Sequence, residues 1–326
     1  MKKIILILIG LLMHGWMAAQ SNIRMSNYWL DAYFINPAAL DVALSPLRIA
    51  AGHRSQWVNF EGAPRTYLLT GAYYHDEMRS QFGLHAVFDQ IGYTSTIDAG
   101  LTYAYSVRWN NVDLNLGLAF RYQRLAYDWS QARTETSMVD PALFALAPQV
   151  GYNADVGLEL VWPYHGLWSV GLASRNLLSL FQTSLEPFSN TNFLYGRYRS
   201  NHGLYYFDRQ KRTWDFSVAI TVIHSRTSDS PNVLQEECNA NLHFNLASNV
   251  LTAGVLYRTT SEAGLIIGFE RGAFNLSCVY EYPLQYAREG MVHPMGTIEA
   301  ILIYKLNNRR PSPCGRRDGR PCTGTL

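Results

Sequence analysis

Apolar and polar side chains alternate strictly between residues 96 and 125, and most of the chain follows the same pattern. Over residues 97–109 the large apolar side chains occupy odd positions, and small or polar residues occupy the even ones. A period of two predicts a β-strand with one apolar face. After Asn110-Asn111 the apolar side chains move to the even positions of 112–122. This change of parity predicts a two-residue hairpin whose apolar faces lie on the same side of a sheet.

The strands of this hairpin are long. Strands of soluble proteins commonly have about 5–6 residues, whereas strands that cross a membrane have about 9–11. The length favours a membrane barrel, and a soluble β-sandwich is the alternative that this hairpin alone leaves open. On the polar face Arg108 lies across from Asp113. We therefore expect an ion pair between these two residues on the lumenal side of the barrel.

Strand-length segments recur from Leu47 onwards, and we count fourteen of them. The predicted fold is therefore all-β: a transmembrane antiparallel β-barrel of about fourteen strands, preceded by an irregular N-terminal segment. The assignment of 193–207 is the weakest. The predicted segments are 47–57, 65–75, 81–90, 95–109, 112–125, 149–162, 167–175, 193–207, 213–224, 235–245, 250–259, 262–271, 273–283 and 296–306.

The predicted connections differ in length according to strand parity. Connections after even-numbered strands are short, as at 110–111, whereas most connections after odd-numbered strands are long, as at 126–148 and 176–192. The exceptions are 91–94 and 260–261. Bacterial outer-membrane barrels have short periplasmic turns and longer outer loops. A soluble sandwich has no reason for this sorting, so we expect an integral outer-membrane barrel with periplasmic N- and C-termini.

The two ends of the chain do not have the strand pattern. Residues 1–19 have a positive start, a short apolar core and small residues at the end, which predicts a secretory signal peptide cleaved after Ala19. Asn, Asp and Pro interrupt every periodic run in 20–46, so this part is a candidate plug for the lumen of the 47–306 barrel. Residues 307–326 are rich in arginine and predict a basic, disordered periplasmic tail.

The composition supports a barrel in contact with lipid. Charged residues make up 16% of the chain, below the usual quarter or so, and aromatic residues make up 13% with 21 tyrosines. An apolar belt with aromatic girdles accounts for both values. The net charge of +2 comes from the signal peptide and the tail, so the barrel region is weakly acidic. We therefore expect no nucleic-acid partner.

Sequence motifs for catalysis or metal binding are lacking. The chain has no nucleophile elbow, zinc-protease motif or phosphate-binding loop, and its histidines are dispersed. We expect no enzymatic activity, no cofactor and no metal, and we keep a barrel hydrolase that pairs His85 with Ser106 as a minor alternative. Cys314 and Cys322 share the polar tail and are a candidate disulfide in an oxidising compartment.

Two short segments have unusual residue types for their positions. Arg54-Ser55-Gln56-Trp57 ends the first predicted strand, and Gly62-Ala63-Pro64 precedes the second. In a purely structural interpretation, Trp57 is an aromatic side chain at the membrane interface, and the glycine and proline shape a loop. In the functional interpretation, this is a fixed outer loop that docks a partner.

These two segments, together with Tyr33-Phe34-Ile35-Asn36-Pro37-Ala38 and the strand 296–306, resemble the PorP/SprF family. Its members are outer-membrane proteins of the type IX secretion and gliding machinery of Bacteroidetes. The resemblance covers residues 20–306. This chain departs from the family at Ala39-Leu40-Asp41, where an aromatic residue and a glycine often follow Asn-Pro-Ala, and in its arginine-rich tail.

The resemblance implies a non-enzymatic barrel that binds large surface adhesins through their type IX C-terminal domains and helps to export or anchor them. It also implies contacts with the periplasmic ring components of the machinery and with outer-membrane lipid. The candidate partner-binding residues are Asn36, Pro37, Arg54, Gln56, Trp57, Gly62, Ala63 and Pro64.

A transporter of hydrophobic small molecules is the alternative function. The Asn-Pro-Ala motif also resembles the N-terminal hatch of FadL-type outer-membrane transporters, in which residues 20–46 would be the hatch. That function predicts a lateral opening between strands and an apolar pocket under the hatch.

Overall fold

The structure, a computed structural model, describes most of the region between residues 25 and 306. In these parts of the chain no helix is long and apolar enough to cross a membrane. The described residues are 25–40, 46–58, 60–128, 147–163, 166–181, 188–200, 213–225, 233–246, 251–259, 262–284 and 296–306.

Fourteen antiparallel strands form one closed barrel. Each strand pairs with its neighbours in sequence, and pairing of the first strand with the last closes the sheet. The predicted all-β transmembrane barrel is confirmed. In chain order the strands are β1 Leu47–Ser55, β2 Arg65–His75, β3 Ser80–Ile91, β4 Thr94–Trp109, β5 Val112–Tyr127, β6 Gln149–Pro163, β7 Gly166–Arg175, β8 Asn190–Ser200, β9 Thr213–Ser225, β10 Val233–Leu246, β11 Leu251–Arg258, β12 Glu262–Arg271, β13 Phe274–Pro283 and β14 Thr297–Leu306.

Two predicted strands differ from the structure at their ends. Strand β1 ends at Ser55 instead of 57, because Trp57 takes φ 47° and the backbone leaves the sheet there. Strand β8 begins at Asn190 and ends at Ser200, whereas 193–207 was predicted. Residues 201–207 of that prediction lie outside the described part of the chain.

The central hairpin has the predicted register. Trp109 pairs with Val112, and Arg108 pairs with Asp113. Asn110 adopts φ 53° in the turn, a conformation that Asn tolerates better than most residues. The large apolar side chains of β4 and β5 point outward, and Leu101 is 68% exposed. A sheet that presents such side chains around its circumference needs lipid to cover them.

The barrel has two rims, which we define by the connections. The short-turn rim holds the connections after the even-numbered strands, and it also holds the paired ends Leu47 and Leu306. The long-loop rim, at the opposite end, holds the connections after the odd-numbered strands. Trp109, at the short-turn rim, is 78% exposed, and Trp162 and Trp168 stack near it with ring centroids 6.3 Å apart.

Residues 25–40, which we call the inner segment, lie inside the barrel. Two short 3-10 helices, Ser26–Trp29 and Ala32–Phe34, give the inner segment a compact shape. Most of its apolar side chains form one buried core with side chains of the barrel wall, and this core occupies the lumen as a core occupies a soluble protein. The wall residues in this core are Ala50, Leu68, Val87, Ala173, Phe193, Tyr195, Leu256, Ile266, Val279, Ile301 and Ile303.

Candidate functional site

The beginning of the inner segment is held by two carboxylates of the wall. The backbone N–H groups of Ser26 and Asn27 donate to the two oxygens of Glu299 at 2.7 and 2.8 Å, and the Asn27 side-chain amide donates to Oε1 at 2.8 Å. The Ser26 hydroxyl donates to Glu281 Oε1. Ser277 donates to Asn27 Oδ1 at 2.8 Å. Both backbone N–H groups and both side chains of this dipeptide therefore have partners on β13 or β14.

Two arginines balance these carboxylates. Arg54 lies 2.9 Å from Glu281 and 3.0 Å from Glu299, and Arg258 lies 3.1 Å from Glu281. Both arginines also donate to the Ser26 hydroxyl. All four side chains are at most 2% exposed. We call Arg54, Arg258, Glu281 and Glu299 the four-charge cluster. Buried charges are tolerable in such a place because they are paired and hydrogen-bonded.

The Asn-Pro-Ala part of the inner segment is held by a third buried carboxylate. Glu159 accepts hydrogen bonds from the Leu40 N–H at 3.2 Å, from Tyr195 at 2.8 Å and from Arg197 at 2.7 Å. Asn36 donates to the Leu158 carbonyl at 3.1 Å and caps the turn by accepting from the Ala38 N–H at 2.8 Å. These bonds fix the turn against β6 and β8.

Glycines on the wall make room for the turn. Gly117 and Gly157 pair directly across β5 and β6, and both face the inner segment. A Cβ at Gly117 would overlap the backbone of Pro37, and a Cβ at Gly157 would overlap the Asn36 side chain. A Cβ at Gly83 would overlap the hydroxyl of Tyr33. The wall is therefore shaped to receive this backbone closely.

A third charged group lies in the wall between β4 and β7. Arg121 donates to Asp98 and, at 2.7 Å, to Asp155, and both carboxylates are buried. The guanidinium of Arg175 lies 4.9 Å above the ring of Phe34, which is a cation–π contact with the inner segment. This group joins four strands to the middle of the inner segment.

The loop between β1 and β2 forms a fixed part of the long-loop rim. Gln56 N–H donates to the Pro64 carbonyl at 3.0 Å, and Val58 N–H donates to the Gly296 carbonyl at 3.0 Å. Gly92 N–H donates to the Gly62 carbonyl at 2.9 Å. The loop is thus tied to the residue that precedes β14 and to the β3–β4 turn. Phe60, near its tip, is 54% exposed.

Comparisons with known proteins identify the family. A family model described as "Type IX secretion system membrane protein PorP/SprF" matches residues 17–304. The chain belongs to the PorP/SprF family. It is therefore an outer-membrane protein of a secretion-system family, as the resemblance implied. A search of characterised protein sequences found no match.

Solved outer-membrane barrels are similar to this PorP/SprF protein in structure. The toluene transporter TbuX of Ralstonia pickettii has 10% identity and a TM-score of 0.47, with 87% of this chain and 94% of TbuX covered. A Pseudomonas aeruginosa FadL homologue has 10% identity and a TM-score of 0.47, with 90% and 100% covered. Omp33 of Acinetobacter baumannii has 8% identity and a TM-score of 0.42, with 81% and 99% covered.

The structure separates the predicted partner-binding residues of this PorP/SprF protein into two groups. Asn36, Pro37, Pro64 and Arg54 are buried, and Arg54 belongs to the four-charge cluster instead of the outer loop surface where we expected it. The reason is strand parity, since Arg54 has the inward parity of Arg48 and Ala50. The side chains that reach the surface at least in part are those of Gln56, Trp57 and Ala63, with Gly62 exposed beside them.

The other predicted site residues have different surroundings. Arg108 Nε lies 2.7 Å from Asp113 Oδ1, in a pair that is partly exposed at the short-turn rim. Cys314 and Cys322 lie outside the described residues. His85 Nε2 lies 3.3 Å from Asp98 Oδ1, and His85 pairs with Gly100 of β4. Ser106 is six residues further along β4, which corresponds to a distance of about 20 Å. The structure therefore does not bring His85 and Ser106 together.

Sequence reasoning missed the carboxylates that hold the inner segment. Glu159, Glu281 and Glu299 lie within strands, at positions of inward parity. A charged residue between two outward apolar residues was a usable signal, because only the inner face of a barrel can accept it. This pattern does not identify the hydrogen-bond partner of each carboxylate, since Ser26 and Glu299 are 273 residues apart in the chain. No group of His, Cys, Asp and Glu side chains in the described ranges is placed to hold a metal ion.

Proposed function

We propose that this protein is a non-enzymatic component of the type IX secretion machinery that binds secreted surface adhesins at the long-loop rim. In this proposal the long-loop rim faces the cell exterior, and the short-turn rim faces the periplasmic ring of the machinery. The observation that carries the proposal is the filled lumen. A partner must then dock at a rim and not inside the barrel.

The inner segment and the wall behave energetically as one folded unit. Ile266, Ile301 and Ile303 are at most 1% exposed although they face the lumen, because the inner segment covers them. Removing the segment would expose these side chains to water at about 25 cal/mol per Å² of apolar surface. It would also strip partners from the buried carboxylates. This cost argues against a lumen that opens to conduct an adhesin.

The β1–β2 loop is the best docking element among the described residues. Its backbone hydrogen bonds hold it in place before any partner arrives, which lowers the entropy lost on binding. Trp57 and Phe60 present aromatic surface there, and Gln56 offers hydrogen-bonding groups beside them. Aromatic side chains are enriched among residues that dominate binding energies. The proposed ligand is the C-terminal domain of an adhesin.

Substitution of the loop residues tests this proposal. We expect the double variant Gln56→Ala/Trp57→Ala to assemble normally but to lose most of the adhesin that copurifies with the wild-type barrel in mild detergent. The matched control is Trp109→Ala, which removes an exposed tryptophan at the opposite rim. Unchanged adhesin capture and surface display by the double variant would remove this loop from the docking role.

Transport of hydrophobic small molecules is the second candidate, favoured by the Asn-Pro-Ala turn seated inside the barrel. The same purification distinguishes the two functions, because a transporter would emerge with bound lipid or fatty acid and without an adhesin. Strand pairing runs around the whole ring of described strands, which gives no support to a lateral opening. Adhesin binding is therefore the function that we favour.

A further inference from the structure

Two arginines carry charge on the outside of the barrel between β1 and β5. The structure describes every residue of these five strands, and their outward positions include Arg65 and Arg124 but no carboxylate. The carboxylates of the same strands, which are Asp89, Asp98 and Asp113, have inward parity. The lipid-facing side of these strands therefore carries a positive charge that no neighbouring carboxylate on that side balances.

Both arginines lie at the long-loop rim. Arg65 is the first residue of β2, and Arg124 lies three residues before the end of β5. Both are exposed, and neither guanidinium forms an ion pair or a hydrogen bond with a residue in the described part of the chain. Strand ends of a membrane barrel lie at the level of the lipid head groups. An unpaired guanidinium there is well placed to bind phosphate, because its planar fork matches phosphate oxygens.

Strand pairing places polar side chains between the two arginines. Arg65 pairs with Gln90, Gln90 pairs with Ser95, and Ser95 pairs with Ala126. Paired residues present their side chains on the same side of the sheet. Arg124 lies two residues from Ala126, so three strand spacings and two residues separate the Cα atoms of the arginines by about 16 Å. The result is a polar band that has an arginine near each end.

The next outward row below this band is apolar except at its end. Tyr67 pairs with Phe88, Phe88 pairs with Ile97, and Ile97 pairs with Arg124. The rings of Tyr67 and Phe88 have centroids 6.3 Å apart, and all three apolar side chains are exposed. A polar band at the rim above an apolar row follows the order of head group and acyl chains in a lipid.

We propose that Arg65, Gln90, Ser95 and Arg124 form a binding site for a lipid with a phosphorylated sugar head group, the class to which lipid A belongs. The arginines bind phosphate at the two ends of the head group, and Gln90 and Ser95 form hydrogen bonds with sugar hydroxyls between them. The length of the band favours a disaccharide, because a phospholipid head group with one phosphate leaves one arginine without a partner. The site rests on the membrane orientation proposed above, since lipid A occupies the outer leaflet of the outer membrane.

Titration of the purified full-length barrel with bisphosphorylated lipid A in mild detergent, followed by native mass spectrometry, tests this site. We expect the double variant Arg65→Gln/Arg124→Gln to bind lipid A about tenfold more weakly than the wild type or worse, because charge-assisted hydrogen bonds to phosphate are lost. The matched control is Arg271→Gln, which removes an exposed, outward-facing arginine at the short-turn rim and should bind as the wild type does. Heat-modifiable migration shows that each variant is a folded barrel.

Two further lipids test the chemistry on the wild type alone. We expect enzymatically dephosphorylated lipid A and phosphatidylglycerol each to bind about tenfold more weakly than lipid A or worse. Equal binding of lipid A by the double variant and the wild type contradicts the site, as does an equal loss in Arg271→Gln. Binding of phosphatidylglycerol as tight as that of lipid A contradicts recognition of the sugar head group. Because both rims are accessible in detergent, these results do not depend on the membrane orientation or on adhesin capture.

Discussion

Glu299 illustrates how single side chains in this lumen are constrained. It has no exposed surface, and it accepts hydrogen bonds from two backbone amides, one side-chain amide and one arginine. A buried carboxylate is costly without partners, and here partners from the inner segment and from β1 satisfy it together. Its hydrogen bonds thus connect folding of the wall to placement of the inner segment.

Removal of Glu299 should cost much more stability than removal of an exposed carboxylate. We expect Glu299→Ala to destabilise the barrel by about 3–5 kcal/mol, because Arg54 is left buried with an incomplete set of partners. Asp113→Ala breaks the partly exposed pair with Arg108 and should cost at most about 1 kcal/mol. Urea unfolding in detergent, followed by tryptophan fluorescence, measures both. Equal losses of the free energy of unfolding would show that burial does not determine the cost of removing a carboxylate.

Arg54 shows how far the sequence leads at this scale. Its partners could not be predicted, but its direction could have been, because Leu47 and Ile49 set the outward parity of β1. The alternation fades at Ala50-Ala51-Gly52, so the sequence placed Arg54 in the first strand but grouped it with the outer-loop residues at the end of that strand. Small residues carry little information about which face of a strand is apolar.

At the scale of elements, the inner segment and the strands are matched in shape. Gly117 and Gly157 lie opposite each other on β5 and β6, at the place where the Asn36-Pro37 turn meets the wall. In the sequence these glycines are small residues in an alternating pattern, as many others are. Only the position of the turn shows that a side chain at these two places would collide with it.

A methyl group at Gly117 should therefore disturb the packing of the inner segment against β5. We expect Gly117→Ala to lower stability by about 1–3 kcal/mol, because the clash is with backbone atoms of Pro37 and Ala38, which cannot turn away. Limited proteolysis should cut the inner segment faster than in the wild type. Gly196→Ala is the matched control, since nothing lies within 4 Å of a Cβ there. If both variants lost the same stability and were cut at the same rate, close contact with Gly117 would not be what holds the inner segment.

The whole molecule is a barrel with an apolar exterior and a core that its own chain completes. Leu101 and Leu118 are 68% and 60% exposed on the outside, while charged side chains and the inner segment are enclosed. The exterior depends on lipid, whereas the interior depends on the inner segment. The two surfaces of the same sheet are therefore stabilised by different surroundings.

The position of a lipid-facing residue along the barrel axis should determine how much stability is lost when it is replaced by a charged residue. Leu101 lies near the middle of β4, and Trp109 ends β4 at the rim. We expect Leu101→Arg to lower the stability of the barrel in lipid bilayers by about 2–4 kcal/mol and Trp109→Arg by about 1 kcal/mol or less. Unfolding of each variant from phospholipid vesicles gives both values. A larger loss at Trp109 would contradict the proposed membrane belt.

The sequence by itself determined the barrel, the number of strands and the register of the central hairpin. These properties depend on residues that are close together in the sequence, because a period of two and a change of parity at a turn involve only neighbouring residues. The tertiary structure alone decided that Ser26 meets Glu299, that Asn36-Pro37 rests on paired glycines, and that the inner segment fills the lumen. These contacts join residues far apart in the chain, and their partners are fixed only when the sheet has closed.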